Sequence, residues 1–249
     1  FNHRHVFLDP TPDSETSFLE RKRLFEAGSG WDGYDRARLS TGGGVYDRNT
    51  KTVDLSPEAR GLLGIGEGPI SGPDLLPRIL GLDVDLIWLG GIGTYFKASH
   101  ESNAEVDDKV NDPYRIDATE IRARVIGEGA NLGLTSAART EFCLGGGACN
   151  TDALDNSAGV DCSDHEVNLK ILLDLLVERQ EVTIEDRSRI LRDLEEDVGL
   201  RSIENNYLQS ALVSLDRIRS RHSIDPFLDL ITYLEESAGL VREDRLIPS

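Results

Sequence analysis

The sequence predicts an α/β fold, an incomplete doubly wound parallel sheet followed by an α-helical C-terminal region. Apolar runs at residues 5–9, 84–89 and 123–126 have the length and composition of buried strands, and stretches of helical period separate them. The last two runs lead directly into glycine-rich segments, as strands do at the ligand-binding edge of such sheets. After residue 160 only helical periodicity remains.

A strand ending at Asp9 opens the fold, because the prolines that follow cannot continue a central strand. A helix comes next, with Ser14 and Thr16 as candidate N-caps. Residues 28–73 are rich in glycine, serine, aspartate and proline without a sustained apolar period, so we expect a long surface excursion there. A short helix over residues 73–82 follows it.

Two glycine-rich segments stand out as candidate ligand sites. Residues 90–94 follow the second strand, and residues 127–135 follow the third. Because the carboxyl ends of parallel strands share one edge of a sheet, we expect the two segments to lie together. Neither matches the dinucleotide-binding fingerprint, and a tight turn between strand and helix explains each of them as simply.

Four helices are predicted in the C-terminal region, each from a stripe of apolar residues at helical spacing. The second begins after Thr183 as N-cap, and the third begins at Ser202. The fourth begins at Asp225, which a proline follows, and ends at Gly239.

Composition limits the classes of partner. The 45 acidic and 27 basic residues give a formal net charge of −18, which repels phosphate backbones and anionic lipids, and no basic patch offsets it. We therefore expect no nucleic acid and no membrane as partner. Cys143, Cys149 and Cys162 lack the spacing of a disulfide framework or a zinc site, so we expect buried, reduced thiols, a cytoplasmic protein and no metal site.

Asp9 occupies the position of the acid that hydrogen-bonds the adenosine ribose of NAD at the end of the second strand of a Rossmann-type unit. An Asp-Pro turn at a strand end is the alternative. The phosphate-binding glycines precede such an acid by about 20 residues, which places them before residue 1. Together with the absence of methionine, this favours an internal piece of a longer protein. We predict a partial NAD-binding Rossmann-type domain at residues 1–165, its first strand and phosphate loop upstream, and a helical region at residues 166–249.

Residues 156–166 form a dense polar run before a predicted helix. The run is interpreted either as a helix N-terminus that binds a carboxylate or as a polar loop capped near Ser163. Cys162 and His165 suggest a nucleophilic pair, but three residues of separation do not fix a hydrogen bond. Lys97 is expected to be solvated rather than a catalytic amine.

Four stretches resemble the catalytic region of the large bacterial NAD-specific glutamate dehydrogenases, which is related to the glutamate, leucine, phenylalanine and valine dehydrogenases. They are FNHRHVFLDPTPD, VDLIWLGGIGTYFKAS, GEGANLGLT and NTDALDNSAGVDCSDHEVN. The helical end, with ENNYLQ, extends the resemblance over most of the chain.

The resemblance implies NAD as cofactor and assigns residues to it. The cofactor-binding residues implied are Asp9, Gly91, Ile92, Gly93, Gly129, Asn131 and Asn156. Asn156 and Ser163 are implied to bind the substrate. Ser163 is implied to donate a hydrogen bond to the carboxylate of the substrate. The family's catalytic lysine and aspartate belong upstream of Phe1, so no catalytic residue is assigned here.

The implied reaction is oxidative deamination of L-glutamate to 2-oxoglutarate and ammonium, with hydride transfer to NAD. The fragment alone is expected to be inactive, and the full-length protein is expected to be a homo-oligomer. Two alternatives stay open. The first is that the chain is an isolated non-catalytic nucleotide-binding or interaction module. The second is that it is part of a dehydrogenase for another amino acid, because the residues that select the substrate side chain mostly lie upstream.

Overall fold

The computed structural model describes residues 1–242, and the chain divides into two compact units. The units are Phe1–Ile126 with Leu132–Cys149, and Gly127–Asn131 with Asn150–Ser249. Residues 150–165 thus cluster with the helices rather than with the strands. The predicted boundary at residue 165, between a partial NAD-binding domain and a helical region, stays a prediction. Residues 243–249 of the predicted helical region lie outside the described part.

The N-terminal half of the first unit contains two strands and three α-helices. They are β1 His5–Leu8, α1 Ser14–Glu26, β2 Gly44–Asp47, α2 Pro57–Leu63 and α3 Gly72–Leu80. The first predicted strand is confirmed, but β1 pairs antiparallel with β2, Val6 opposite Tyr46, instead of joining the other predicted strands. Asp13, and neither Ser14 nor Thr16, caps α1, because its carboxylate accepts the Thr16 amide at 2.8 Å.

The prediction of a long surface excursion over residues 28–73 is wrong. This segment supplies β2 and α2 and contributes buried side chains to a core beside β1. Ser56 caps α2 and Gly64, with φ 63°, ends it. The core comprises Val6, Leu8, Val53, Leu55, Ala59, Leu63, Leu75 and Leu76.

The C-terminal half of the first unit carries the remaining strands. Its elements are β3 Leu86–Leu89, β4 Phe96–Lys97, α4 Asn103–Val106, β5 Ile116–Asp117, β6 Val125–Glu128, α5 Ser136–Leu144 and β7 Ala148–Cys149. β3, β6 and β7 form a sheet in that order, with β6 and β7 parallel, and β4 pairs in parallel with β5. The predicted mixed α/β part with parallel strand pairing is therefore confirmed. Its core is centred on Phe96, Ile126 and Leu134.

The second unit is helical. Its helices are α6 Asp152–Asp155, α7 Ser157–Glu178, α8 Ile184–Asp193, α9 Glu195–His222 and α10 Asp225–Ala238. Thr183 caps α8 as predicted, and Gly239 ends α10 with φ 68°. The third predicted helix starts at Glu195 rather than at Ser202, so it is longer than expected.

The apolar faces of these helices are largely exposed. In the described part of α6 to α10, the buried residues are Leu173 and Ser202. Ile171 and Tyr207 keep 55% and 71% of their surface exposed. The helical periodicity therefore predicts the helices correctly, while burial of their apolar stripes within the described residues is not observed.

Candidate functional site

The loop after β3, residues 90–94, borders a cleft of about 780 Å³ along the open edge of that strand. Trp88 on this edge is 62% exposed. Gly91 and Ile92 line the cleft and are exposed, whereas Gly93 is buried. The three residues that the sequence assigned to NAD here thus differ in role, because two face open space and the third is packed inside the loop.

Buried Arg115 holds this loop in place. Its Nε donates to the carbonyl of Thr94 at 2.9 Å, and its Nη2 donates to the carbonyl of Asp108 at 2.7 Å. Nη1 donates to Asp112 at 2.6 Å and to Asn103 at 2.8 Å. The Arg115 side chain is 0% exposed, and an unpaired charge there would cost several kcal/mol. These partners therefore fix the loop and the cation together.

The Asp108 carboxylate also holds the loop after β3, and together with Arg115 it forms what we call the brace. Its Oδ2 accepts the Thr94 amide at 2.8 Å and Asn111 Nδ2 at 2.8 Å. Burial raises the pKa of Asp108, but these hydrogen bonds and the charge of Arg115 outweigh burial, so the pKa lies below its usual value. Gly93, with φ 138°, sits against the Asn111 amide. Hydrogen bonds to Asp108 therefore fix the loop backbone, and Gly93 leaves the space that the Asn111 amide occupies.

Asp9 follows β1 and is only partly satisfied. Its Oδ1 accepts the backbone amide of Ser40 at 3.0 Å and also the Ser40 hydroxyl. Its Oδ2 is buried and has no hydrogen-bond partner within the described residues. A buried carboxylate oxygen without a donor costs about 1–3 kcal/mol or more, so the described chain leaves this polar atom unsatisfied.

The predicted meeting of residues 90–94 and 127–135 is observed in part, at the end of each segment. The amides of Tyr95 and Phe96 both donate to the carbonyl of Gly133, at 2.9 and 3.2 Å. The amide of Thr135 donates back to the carbonyl of Phe96 at 3.1 Å. Within the first unit, the segment after β3 is thus hydrogen-bonded to the end of the glycine-rich segment after β6.

The beginning of that second glycine-rich segment belongs to the helical unit, where it lies beside Asn156. The amide of Glu128 donates to Asp155 Oδ2 at 2.9 Å, and Asn150 Nδ2 donates to Asp155 Oδ1 at 2.9 Å. Gly129 is partly buried and Asn131 is exposed. Asp155, the residue before Asn156, is therefore hydrogen-bonded to Glu128, the residue before the predicted Gly129–Asn131 segment.

Asn156 separates α6 from α7 and keeps a free polar atom. It has φ −105° and ψ 8°, its side chain does not cap α7, and its Nδ2 is buried without a partner within the described residues. Asn206 of α9 donates to the carbonyl of Leu154 at 3.0 Å and to Ser157 Oγ at 2.8 Å. Asn206 thus holds the chain on both sides of Asn156 while leaving its amide unused.

The polar run at residues 156–166 is not a loop capped near Ser163, but it does contain a helix N-terminus. Helix α7 starts at Ser157, so Ser163 lies in its second turn, exposed. Cys162 Sγ donates to Glu166 at 3.7 Å, and His165 Nε2 lies 3.4 Å from Asp161. The structure therefore does not join Cys162 and His165 into a nucleophilic pair.

Lys97 is not the solvated side chain that the sequence suggested. Its side chain is 15% exposed, and Nζ forms an ion pair with Asp117 across the β4–β5 pair. The pair ties the two short strands together. Within residues 1–242, no three His, Cys, Asp or Glu side chains are arranged to hold a metal ion, and no helix has the length and apolar character to cross a bilayer.

Three residues that shape the site were not predicted: Arg115, Asp155 and Asn206. Arg115 is one of 27 basic residues, and nothing in its local sequence separates it from a solvated one. Asn206 does carry a signal, because two adjacent asparagines within a helix are unfavourable unless their side chains find partners. Its neighbour Asn205 also finds one, Asp161 Oδ2 at 2.9 Å.

Known proteins resemble the chain throughout its length. The family model described as "Bacterial NAD-glutamate dehydrogenase, catalytic domain" matches residues 1–216. Proteins named NAD-specific glutamate dehydrogenase from Mycobacterium tuberculosis, Pseudomonas aeruginosa and Halomonas elongata are 46%, 45% and 44% identical to the chain. Each alignment covers 100% of the chain.

The chain spans only 15–16% of the length of these relatives. The aligned part includes every residue that the sequence assigned to cofactor or substrate, because the family model ends after the last of them. The predicted resemblance is therefore confirmed, and the chain belongs to the catalytic-domain family of the bacterial NAD-glutamate dehydrogenases.

Proposed function

We propose that this chain is the cofactor-positioning part of an NAD-dependent dehydrogenase that converts L-glutamate to 2-oxoglutarate and ammonium. One observation carries the proposal. Two side chains assigned to ligands from sequence, Asp9 and Asn156, each keep a buried polar atom without a partner in the described residues. Native proteins satisfy most buried polar atoms, so an unsatisfied atom at a predicted ligand position supports a ligand there.

Asp9 fits the adenosine ribose of NAD. Its Oδ1 is held by Ser40, which orients Oδ2 as an acceptor for a ribose hydroxyl. Its negative charge disfavours a 2′-phosphate at the same place, which supports NAD over NADP. The relatives are named NAD-specific, in agreement with this selection.

The loop at Gly91, Ile92 and Gly93 fits the ribose and nicotinamide side. A Cβ atom added at Gly91 would have no heavy atom within 4 Å, so the backbone there is open to close approach by a ligand. Arg115 and Asp108 fix the loop through Thr94. A loop already held in position lowers the entropy lost when the cofactor binds.

Gly129, Asn131 and Asn156 complete the proposed cofactor contacts, and Asn156 and Ser163 hold the substrate. The Asn156 amide donates to a carbonyl or carboxylate oxygen, and Ser163 donates its hydroxyl to the substrate carboxylate. Bound NAD supplies the hydride acceptor for the substrate α-carbon. The residues of this chain orient the two molecules, which contributes several kcal/mol to lowering the barrier.

We extend the proposal to the domain level. Residues 1–165 form part of a Rossmann-type domain whose first strand and phosphate loop belong to an upstream segment, and residues 166–249 form its helical companion. The open edge of β3, with exposed Leu86 and Trp88, supports a further strand beside it. The catalytic acid and base lie outside this chain, and the complete protein is a homo-oligomer.

The test uses the complete polypeptide that contains this chain, assayed by reduction of NAD with L-glutamate. Asp9→Ala removes a hydrogen bond to a charged group, about 1.5–3 kcal/mol, and is expected to raise KM for NAD roughly 10–150-fold with little loss of kcat. Asn156→Ala is expected to lower kcat. Asp32→Ala, at an exposed turn of the same unit, is the matched control.

The outcomes separate the competing functions. A lowered kcat with unchanged KM for NAD in Asp9→Ala would show that Asp9 does not bind the ribose. Unchanged kinetics in Asn156→Ala would show that Asn156 does not contact the cofactor or the substrate. Faster turnover of L-leucine than of L-glutamate would assign another amino acid as substrate. Absence of any NAD-dependent turnover by the complete polypeptide would favour a non-catalytic nucleotide-binding module.

A further inference from the structure

Cys143 and Cys149 lie next to each other at one end of the first unit. Cys143 is in the last turn of α5, Cys149 is in β7, and their Sγ atoms are 3.6 Å apart. Cys143 is exposed, while Cys149 is partly buried and packs against the core around Phe96. The expectation of buried thiols is therefore wrong for Cys143.

A glycine turn creates the proximity. Residues 145–147 are all glycine, and Gly146 has φ 98°, which few other residues adopt. The amide of Gly146 donates to the carbonyl of Cys143, and the amide of Gly147 donates to the carbonyl of Phe142, both at 3.1 Å. These bonds reverse the chain directly after α5 and return it as β7, with one sulfur opposite the other.

We propose that Cys143 and Cys149 are a redox modification site that forms a reversible intramolecular disulfide by exchange with a low-molecular-weight disulfide. The exposed Cys143 thiolate attacks one sulfur of the small disulfide, whose S–S bond breaks to release one thiol. The Cys149 thiolate then attacks Cys143 Sγ and releases the second thiol. The protein loses two protons and two electrons, and the oxidant gains both as two thiols.

Accessibility sets the order of the two steps. An attacking cysteine must meet a molecule from solution, which Cys143 can do. A resolving cysteine needs only to reach the first one, which Cys149 does from its place in β7. In proteins of reducing compartments such pairs serve as transient redox sensors, so the bond is expected to form only when the thiol–disulfide balance shifts toward disulfide.

Oxidation of Cys149 would affect β7, the strand that precedes the predicted ligand residue Asn156 along the chain. Cys149 pairs with Ile126 of β6, and the chain leaves the first unit directly after Cys149. Asn150, the next residue, donates to Asp155. A disulfide therefore tethers the start of that connection to the end of α5.

The experiment is a mass measurement on the complete, folded polypeptide. The protein is treated with oxidised glutathione, its remaining thiols are alkylated, and it is digested with trypsin without reduction. Cleavage after Arg139 and Lys170 releases one peptide that contains all three cysteines. A second cleavage before Asp152 separates Cys162 from the pair. We expect the pair linked, with the mass of two hydrogen atoms lost, Cys162 alkylated, and full reversal by a dithiol reductant.

Variants identify the roles of the three thiols. Cys149→Ser is expected to stop at a glutathione adduct on Cys143, and Cys143→Ser is expected to form no link. Cys162→Ser is the matched control and is expected to link like the unaltered protein. The readout does not depend on dehydrogenase activity, so failure of the proposed function leaves it intact.

Three results would overturn the proposal. They are a disulfide that contains Cys162, alkylation of both Cys143 and Cys149 after treatment with the disulfide, and an equal yield of the link when the protein is first unfolded in urea. The last result would mean that closeness in sequence, and not the fold around the glycine turn, brings the two thiols together.

Discussion

Replacing Gly93 with alanine should loosen the loop after β3, and the structure gives the size of the effect. Gly93 has φ 138°, where side chains are strained. A Cβ atom there would lie 2.5 Å from Asn111 Nδ2 and 3.2 Å from the Tyr95 ring. Asn111 cannot move aside freely, because it is buried and its Nδ2 donates to Asp108 at 2.8 Å.

Two costs add in this variant. The backbone conformation costs about 1–3 kcal/mol for a residue with a side chain. Displacing Asn111 from the Asp108 carboxylate costs about 1.5–3 kcal/mol, as for other hydrogen bonds to charged groups. The sum is about 2.5–6 kcal/mol, and since about 1.4 kcal/mol is a factor of ten, the lower bound corresponds to a change of roughly 60-fold in the local opening equilibrium.

Hydrogen exchange measures that equilibrium at the site itself. The Thr94 amide donates to Asp108 Oδ2, and its exchange in the Gly93→Ala variant should speed up by at least about 60-fold. Gly91→Ala is the matched control, because an added Cβ there has no heavy atom within 4 Å. Unchanged exchange in Gly93→Ala, or equal acceleration in Gly91→Ala, would refute the argument from packing.

Three further predictions concern the polar contacts. Arg115→Met leaves the carbonyls of Thr94 and Asp108 without their donor and should lower the free energy of unfolding by about 1–3 kcal/mol or more, measured by denaturant unfolding. Hydrogen bonds from the Arg23 side chain and the Asp35 amide lower the pKa of Glu20 to about 2. Because this pKa is depressed on folding, the stabilisation is complete above the ordinary glutamate pKa and is lost as pH falls from about 4.5 toward 2. Glu20→Gln should therefore flatten the acid limb of the melting temperature, and equal slopes in both proteins would contradict this. Asn206→Ala should reduce kcat of the complete enzyme several-fold more than the neighbouring Asn205→Ala, since only Asn206 bonds both sides of Asn156.

Local signals in the sequence predicted much of the fold. Apolar runs identified β1, β3 and β6, and the caps at Thr183 and Gly239 fixed helix ends, because each depends on residues close in sequence. The segment at residues 28–73 was misjudged because its strand pairs with β1 about forty residues away. A local signal there, Ser56 followed by proline, did mark the start of α2.

The site was less predictable than the fold. The contact between the segments after β3 and β6 follows from the rule that the carboxyl ends of parallel strands share one edge, whereas Asp9 ends a strand that lies outside that sheet. The brace on the first loop does not follow from such a rule, because Arg115 takes its partners from Thr94, Asn103, Asp108 and Asp112, and only the folded chain brings these together. The polarity of residues 156–166 is compatible with a helix N-terminus and with a loop, and the partners that Asn205 and Asn206 of α9 supply to Asp161 and Ser157 are distant in sequence.

The polar groups around the proposed site fall into two kinds, and the difference bears on function. Arg115 and the Oδ2 atom of Asp108 are bonded to other groups of the chain, so their contribution is to hold the loop backbone. Asp9 is held by Ser40 through Oδ1 while its Oδ2 is unpaired within the described residues, and Asn156 has an unpaired Nδ2 while Asn206 holds the residues on both sides of it. An open buried acceptor or donor destabilises the chain until a ligand satisfies it. Ligand binding should therefore recover stabilisation at Asp9 and Asn156 and change little at Arg115, which is the pattern expected of a site built before its ligand arrives.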